Sequence, residues 1–366
     1  MQKFLGLIIL LVVAGVAAGY FILQKGGISG DGKGLPSFVT PKQQITVTGK
    51  AGSEKITFLQ SEKMQKVLMN HGLHVNVRKA GSVEMIRETS GQDFLWPASQ
   101  VNVEYFSSSG GRALATENIF NSPLVLYSWD IVTDALIKNG IVEHREGVNY
   151  IVNLPELLSL IIDHKSWKDI GLNQLYGKIN IRTTDPTKSN SGNMFAALVA
   201  NTLNKGEVVT AETIDNVLPE VKRLYARLGH MEHSSAVLFN MFLQQGVGAY
   251  PLIVGYENQL VEYSLVHREA LELLKAKVRI LYPVPTIWAT HPIIALTENG
   301  KKMIQALKSP EAQELAWEQH GFRSGLMGVE NDPSVLDVVG LPRSIDAVMP
   351  APSAKVMSKL TTNLSF

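Results

Sequence analysis

Ile179-Asn180-Ile181-Arg182-Thr183-Thr184-Asp185-Pro186-Thr187-Lys188-Ser189-Asn190-Ser191-Gly192-Asn193, continued by Met194-Phe195-Ala196-Ala197-Leu198-Val199-Ala200-Asn201, is the stretch whose reading decides the fold. β-Branched residues alternate with polar ones as far as Thr184, the pattern of a strand. Asp185-Pro186 ends it, because proline lacks the amide hydrogen that a strand ladder uses. Ser189, Asn190 and Ser191 are N-cap residue types, and the alanine-rich apolar run behind them predicts a helix. The order is strand, polar turn, helix. A helix start carries free backbone N–H groups and the positive end of the aligned peptide dipoles. With hydroxyls and a glycine beside it, it can receive an anion or another hydrogen-bond acceptor. Taken alone, an ordinary N-cap in an α/β fold accounts for the same residues.

The pattern recurs upstream. Ile45–Gly49 alternates as a strand, the loop Lys50–Lys55 follows, and Ile56–Asn70 reads as one helix ended by His71-Gly72. Leu73–Val77 is a second strand, followed by Lys79-Ala80-Gly81-Ser82 and a short helix over Val83–Glu88. Asp93–Ala98 is a third strand, with Ser99 placed to cap the next helix. Serine or glycine stands at each helix start. Alternating β–loop–α units predict a mostly parallel sheet, whose ligands bind beyond the carboxyl ends of the strands. Glu117–Tyr127 reads as a strand leaving this first unit, and Val278–Leu296 as an extended segment crossing back, interrupted by Pro283, Pro285 and Pro292. Between them lie helices over Trp129–Asn139, to Ile162 after Pro155, over Thr210–Leu228, Ala236–Gln245 and about Leu260–Lys275, with Ala249–Gly255 as a buried strand. Helices near Gly300–Leu307 and Pro310–His320 follow. The tail beyond Gly325 loses clear periodicity and is expected to be only partly ordered.

The totals narrow the function. The chain has 366 residues, enough for two domains, and its net charge is +1 from 34 Lys+Arg and 33 Asp+Glu. No basic block or aromatic-basic interleaving marks a nucleic-acid surface. With no cysteine, disulfides, thiolate catalysis and Cys-ligated metal or cluster sites are excluded. Residues 4–23 carry no charge and would span roughly 30 Å as a helix, about the hydrocarbon thickness of a bilayer. They read as a single transmembrane anchor; a signal peptide cut near Val16-Ala17-Ala18 is the alternative. Residues 24–41, rich in Gly, Ser and Pro, read as a flexible tether.

Catalytic and metal readings have less behind them. Ser234 and Ser235 lie near His230 and His233, and Asp185 is available, but neither a G-x-S-x-G elbow nor an H-E-x-x-H motif is present. His230, Glu232 and His233 could share a metal, or simply solvate a loop. Ser107–Ser109 reads as a polar loop that either lines a cleft or faces solvent. Neither a metal nor a cofactor is expected.

Together these residues resemble the type II periplasmic solute-binding proteins, the receptors of ABC importers, nearest the molybdate, sulfate and phosphate receptors. The resemblance covers about Gln44 to Arg323. It rests on Gly52-Ser53 after the first strand, Lys79-Ala80-Gly81-Ser82 after the second, the Asp185–Gly192 turn, Val254-Gly255-Tyr256-Glu257 and the late Gly321-Phe322-Arg323. It implies a two-domain α/β fold, with 42–120 plus 282–366 as domain 1 and 121–281 as domain 2, and a small solute held in the cleft between them. It also implies ligand contacts from Gly52, Ser53, Gly81 and Ser82 on one side. Ser189, Ser191, Gly192, Asn193, Tyr256 and Glu257 would face them. The partners implied are a small-molecule solute, such as an oxyanion, and an ABC permease. The body would lie on the extracytoplasmic side of the cell membrane. Glu54 and Glu257 depart from an anion site and favour a ligand with a donor or positive group. An anchor where the family carries a lipid-modified cysteine is a second departure. A membrane-anchored interaction protein on the same fold, or a hydrolase, are the alternatives.

Overall fold

The computed structural model describes residues 44–364. The expected anchor at 4–23 and tether at 24–41 lie outside these residues. Among the described residues, no helix is long and apolar enough to cross a membrane.

Strands and helices alternate at first. The strands are β1 (Ile45–Ala51), β2 (Leu73–Lys79), β3 (Phe94–Trp96), β4 (Ala115–Asn118), β5 (Phe120–Trp129), β6 (Val142–Arg145) and β7 (Val148–Ile151). They continue as β8 (Leu252–Tyr256), β9 (Val278–Pro283), β10 (Thr286–Ala289), β11 (Pro292–Ala295), β12 (Arg323–Ser324) and β13 (Val348–Met349). The α-helices are α1 (Ser53–Gln60), α2 (Glu62–Asn70), α3 (Ser82–Arg87), α4 (Gln100–Ser108), α5 (Asp130–Lys138), α6 (Leu154–Ile162) and α7 (Asn190–Leu203). After them come α8 (Ile214–Leu228), α9 (Ser235–Ala249), α10 (Glu257–Val266), α11 (Leu271–Lys277), α12 (Glu298–Leu307), α13 (Pro310–His320) and α14 (Ala354–Thr362).

Two sheets organise them. The first has the order β2-β1-β3-β11-β4. β1 runs parallel to β2 and β3, with Val47 opposite Val75 and Ala51 opposite Trp96. Phe58, Trp96, Phe120 and Phe322 fill its core together with Met64, Leu68, Met303 and Leu307, and Phe120 stacks on Phe322 with ring centroids 5.1 Å apart. The second sheet has the order β13-β10-β5-β9-β7-β6, and β8 and β12 also pair with β5. One core, including Leu136, Leu158, Phe195 and Leu224, and another, including Tyr127, Phe239, Phe242 and Ile280, are built on its strands and helices.

The expected parallel pairing holds for β1, β2 and β3 and fails beyond them. β5 is antiparallel to β8, β9, β10 and β12, and β11 is antiparallel to β3 and β4. The reason is the traffic between the sheets. The chain leaves the first sheet from β4 through Ile119 into β5, and re-enters it from β10 through Thr290-His291 into β11. Segments that cross between the same sheets in opposite senses pair antiparallel, as short returns require.

Several helix readings shift. The helix expected over Ile56–Asn70 is two, because Ser61 is extended (φ −62°, ψ 140°) and its Oγ accepts the Met64 amide to start α2. Ser107 and Ser108 close α4 rather than forming a loop. The helix expected from Leu260 begins at Glu257 and breaks at His267. Ile179–Thr184 forms no strand of its own. It lies extended beside β8, with the Arg182 amide donating to Leu252 O and the Val254 amide to Arg182 O, both at 2.8 Å.

The tail is ordered, contrary to expectation. Val356, Met357, Leu360 and Leu364 are buried in the core that also holds α7 and α8. Tyr105 on α4 donates to Ala354 O at 2.9 Å, and Asn201 on α7 to Pro350 O at 3.2 Å. One short helix behind two prolines is too brief to show a period in sequence. Residues 282–366 therefore do not gather on the first sheet alone: β10, β13 and α14 belong with the second. Truncating Leu360 to Ala should cost about 2–5 kcal/mol, the usual range for a buried leucine. Urea unfolding of the variant checks it, and an unchanged midpoint would mean that the tail does not pack.

Candidate functional site

A cavity of about 180 Å³ opens where helix starts from both sheets converge. β1 delivers Gly52, Ser53 and Glu54 to it; β2 delivers Lys79, Gly81 and Ser82. On the facing wall the polar turn supplies Lys188, Ser189, Asn190 and Ser191, the start of α9 supplies His233, Ser234 and Ser235, and β8 ends there with Tyr256. This is the carboxyl edge of the strands, where an α/β sheet leaves helix N-termini facing one another.

The hydroxyls are set by local geometry. Ser53 and Ser82 are the first residues of α1 and α3, behind extended glycines. Ser82 Oγ accepts the Ala98 amide at 3.2 Å, which leaves its own proton to donate. Ser189 and Ser234 are the N-caps of α7 and α9, and neither side chain takes a backbone amide. Ser61, Ser99 and Ser309, capping helices elsewhere, each do; Ser353, on α14, does not. Ser191 is 1% exposed, its Oγ 2.7 Å from Thr184 Oγ1 and 3.1 Å from Ser189 Oγ. Asn190 Nδ2 donates to the Tyr256 hydroxyl at 2.8 Å. That hydroxyl is left with its own proton to give, and burial, with Glu54 nearby, pushes its pKa up so that it stays a phenol.

Of the residues expected to contact ligand, Gly52, Ser53, Gly81, Ser82, Ser189, Ser191 and Tyr256 line this cavity. Gly192, Asn193 and Glu257 do not. Gly192 sits against the backbone of Thr184 and Asp185, where a Cβ would strike the Thr184 carbonyl, so glycine is needed to seat α7 on the turn. Asn193 donates to Pro186 O at 3.4 Å and lines a neighbouring groove with Val83, Ile86 and Arg87. Glu257 is fully buried. Its carboxylate receives Arg323 Nε at 2.7 Å and Nη2 at 2.9 Å, and the Tyr282 hydroxyl at 2.5 Å. Arg323 also donates to the carbonyls of Pro342 and Arg343. The pair thus locks the end of β8 to the tail, and truncating either partner would strand a buried charge.

One more buried charge stands at the first wall. Lys55 is fully buried and ion-pairs with Glu54, the carboxylate that faces the cavity. Lys55 Nζ lies 3.2 Å from His291 Nδ1, and His291 Nε2 lies 3.1 Å from Ser122 Oγ. Because the ammonium has only donors, His291 accepts at Nδ1 and carries its proton on Nε2, toward Ser122. His291 occupies the short crossing between β10 and β11 at φ 39°, a left-handed conformation unusual for a side chain of this size. Its carbonyl takes the Trp96 indole at 2.8 Å. Burial, with the Lys55 charge beside it, lowers the His291 pKa to about 3. Burial alone would raise Glu54, but Lys55 and His291 outweigh it and hold the carboxyl at about 2.

Lys79, Lys188, Asn190, His233 and Ser234-Ser235 also reach the cavity although they were not among the expected contacts. A sequence signal existed for the serines, which repeat the serine-at-helix-start pattern of the other walls. None exists for Lys188 and His233, whose Nζ and Nε2 meet at 3.0 Å across 45 residues. The hydrolase arrangement is not assembled: Asp185 accepts from Thr187 and pairs with Lys188, and His230 faces Glu232. Among the described residues, no group of three His, Asp or Glu side chains is placed to hold a metal.

The sequence matches no described protein family and no curated protein. Solved structures do match in fold. An extracellular solute-binding protein from Bordetella parapertussis aligns with a TM-score of 0.58 at 12% identity, over 87% of this chain and 97% of that one. The iron-bound HitA of Pseudomonas aeruginosa aligns with a TM-score of 0.59 at 12% identity, over 88% of this chain and 100% of that one. An ABC transporter protein from Clostridium perfringens gives 0.56 at 14%, over 87% and 98%. The chain has the mixed α/β, two-sheet fold of these proteins.

The buried histidine gives a measurable signature. Below its ordinary pKa of 6.5 the unfolded chain takes a proton that the folded chain refuses until about pH 3. Its contribution to stability is therefore complete above pH 6.5 and lost as pH falls toward 3. Between pH 7.5 and 4.5 the wild type should lose about 2–3 kcal/mol more than His291→Gln. Urea denaturation at the two pH values measures it, and equal losses would show that His291 is not held neutral.

Proposed function

We propose that the protein is an extracytoplasmic solute-binding protein of an ABC importer, attached to the membrane through residues 4–23, that takes a small anionic solute into the cavity between its sheets. The observation that carries this reading is the convergence of serine-bearing helix starts from both sheets on one cavity. Neutral hydroxyl and amide donors with the positive ends of helices suit a dehydrated anion or oxyanion. Lys79 and Lys188 at the rim add positive charge. The part on the five-stranded sheet and the part on the eight-stranded sheet would be the two closing units, and capture would favour the closed state.

The iron named for HitA is the rival cargo. A bare ferric ion is a hard cation that calls for several anionic oxygen ligands. Here the single cavity carboxylate, Glu54, is already paired with Lys55, and two further ammonium groups stand at the rim. The donor set fits an acceptor-rich solute better than a bare cation.

Native mass spectrometry of the purified body should show a retained solute. Melting temperatures should rise with oxyanions or organic anions, as mass action requires for a ligand of the folded state alone. Absence of any shift across oxyanions, carboxylates, sugars, amino acids and metal salts would sink the reading. Lys188→Glu should weaken whichever anion stabilises the wild type by tenfold or more, about 1.4 kcal/mol. Isothermal titration decides it, with unchanged affinity removing Lys188 from the site.

A further inference from the structure

We propose that the captured solute is amphoteric: its acidic group lies on the serine wall, and a protonated amine on the same small molecule donates to Glu54. This rests on the solute-binding reading above and adds the chemical class of the ligand. Glu54 faces the cavity, with its side chain 26% exposed. Its Oε1 takes the Lys55 ammonium and lies 3.7 Å from His291 Nδ1. Its Oε2 has no side-chain hydrogen-bond partner among the described residues, and an ionised carboxylate offers about four lone-pair sites in all. The carboxylate curls over Gly52, where a Cβ would come within 2.5 Å of it. Glu54 therefore occupies the start of α1, and an anion approaching that helix end meets like charge. Anion binding is directed to the opposite wall.

That wall is rich in donors and carries no carboxylate. Tyr256 is 5% exposed, lines the cavity, and has spent its acceptor on Asn190. Neither Ser189 nor Ser234 takes a backbone amide of the helix it caps, and Ser189 Oγ lies 3.1 Å from Ser191 Oγ. A simple anion satisfies the donors and leaves lone pairs of the Glu54 carboxylate desolvated and unanswered by any side chain, which costs free energy. A simple cation does the reverse. A solute with both groups satisfies both walls, and a cavity of about 180 Å³ sets a short separation between them.

The experiment compares matched pairs that differ only in an amine: β-alanine with propionate, taurine with ethanesulfonate, and O-phosphoethanolamine with ethyl phosphate. Affinity is read by thermal shift and isothermal titration on the wild type and on Glu54→Gln. In at least one pair the amine-bearing member should bind tenfold or more tighter than its partner, and E54Q should erase that preference. Since E54Q leaves the Lys55 ammonium buried without its counter-ion, E54Q/K55M, which removes both charges, serves as the second variant and should erase it too. Equal or tighter binding of the amine-free member, or a preference that survives both variants, overturns the proposal. So does silence in all three pairs. Stabilisation by an amine-free solute from the broader panel would then leave the solute-binding reading standing, whereas silence throughout that panel would remove both.

Discussion

An ammonium with no exposure to water must have its charge answered on the spot, and Lys55 is the residue where this chain meets that requirement. Glu54 answers it from the cavity side and His291 from the crossing segment. That choice fixes three things together. It draws a carboxylate over the first helix start, forces His291 to remain neutral with Nδ1 as an acceptor, and ties α1, β3 and β5 to the crossing between β10 and β11 through Lys55, Trp96 and Ser122. The left-handed backbone at His291 is held by these contacts from several elements, as a strained conformation requires.

The Glu257–Arg323 pair plays the matching part on the far side. It is bidentate, fully enclosed and joined by Tyr282, and its guanidinium continues to two carbonyls of the tail. Tyr127 adds its hydroxyl to the carbonyls of Tyr256 and Glu257 at 2.5 and 3.2 Å. The end of β8 is thereby rigid, and Tyr256 can present its hydroxyl at a fixed place. Preorganised donors of this kind lower the cost of ordering a site around a solute. Two carboxylates that look alike in sequence, Glu54 and Glu257, thus do different work: one faces the cavity, the other braces it.

Much of the cavity lining was legible in the sequence because serine at a helix start is a local signal. Gly52-Ser53, Gly81-Ser82 and Ser189–Ser191 could each be read without knowing what faced them. The same rule applied to Ser234-Ser235 would have found the fourth element. Glu257 lies off the cavity, paired with Arg323, and nothing near it in sequence announces that partner 66 residues away. Asn193 and Gly192 sit one turn into α7 and face the turn beneath it. Sequence proximity to Ser191 did not settle which way they point.

Local chemistry alone therefore determined the strand–loop–helix units of β1, β2 and β3, the absence of thiol chemistry and the serines at the helix starts. Those properties depend on neighbours within a few residues. The tertiary structure decided the rest: the antiparallel crossings, the packed tail, the burial of Lys55, His291 and Glu257, and the meeting of Lys188 with His233. Each depends on residues far apart in the chain, and only the folded packing says which charges lose their water and must find a partner.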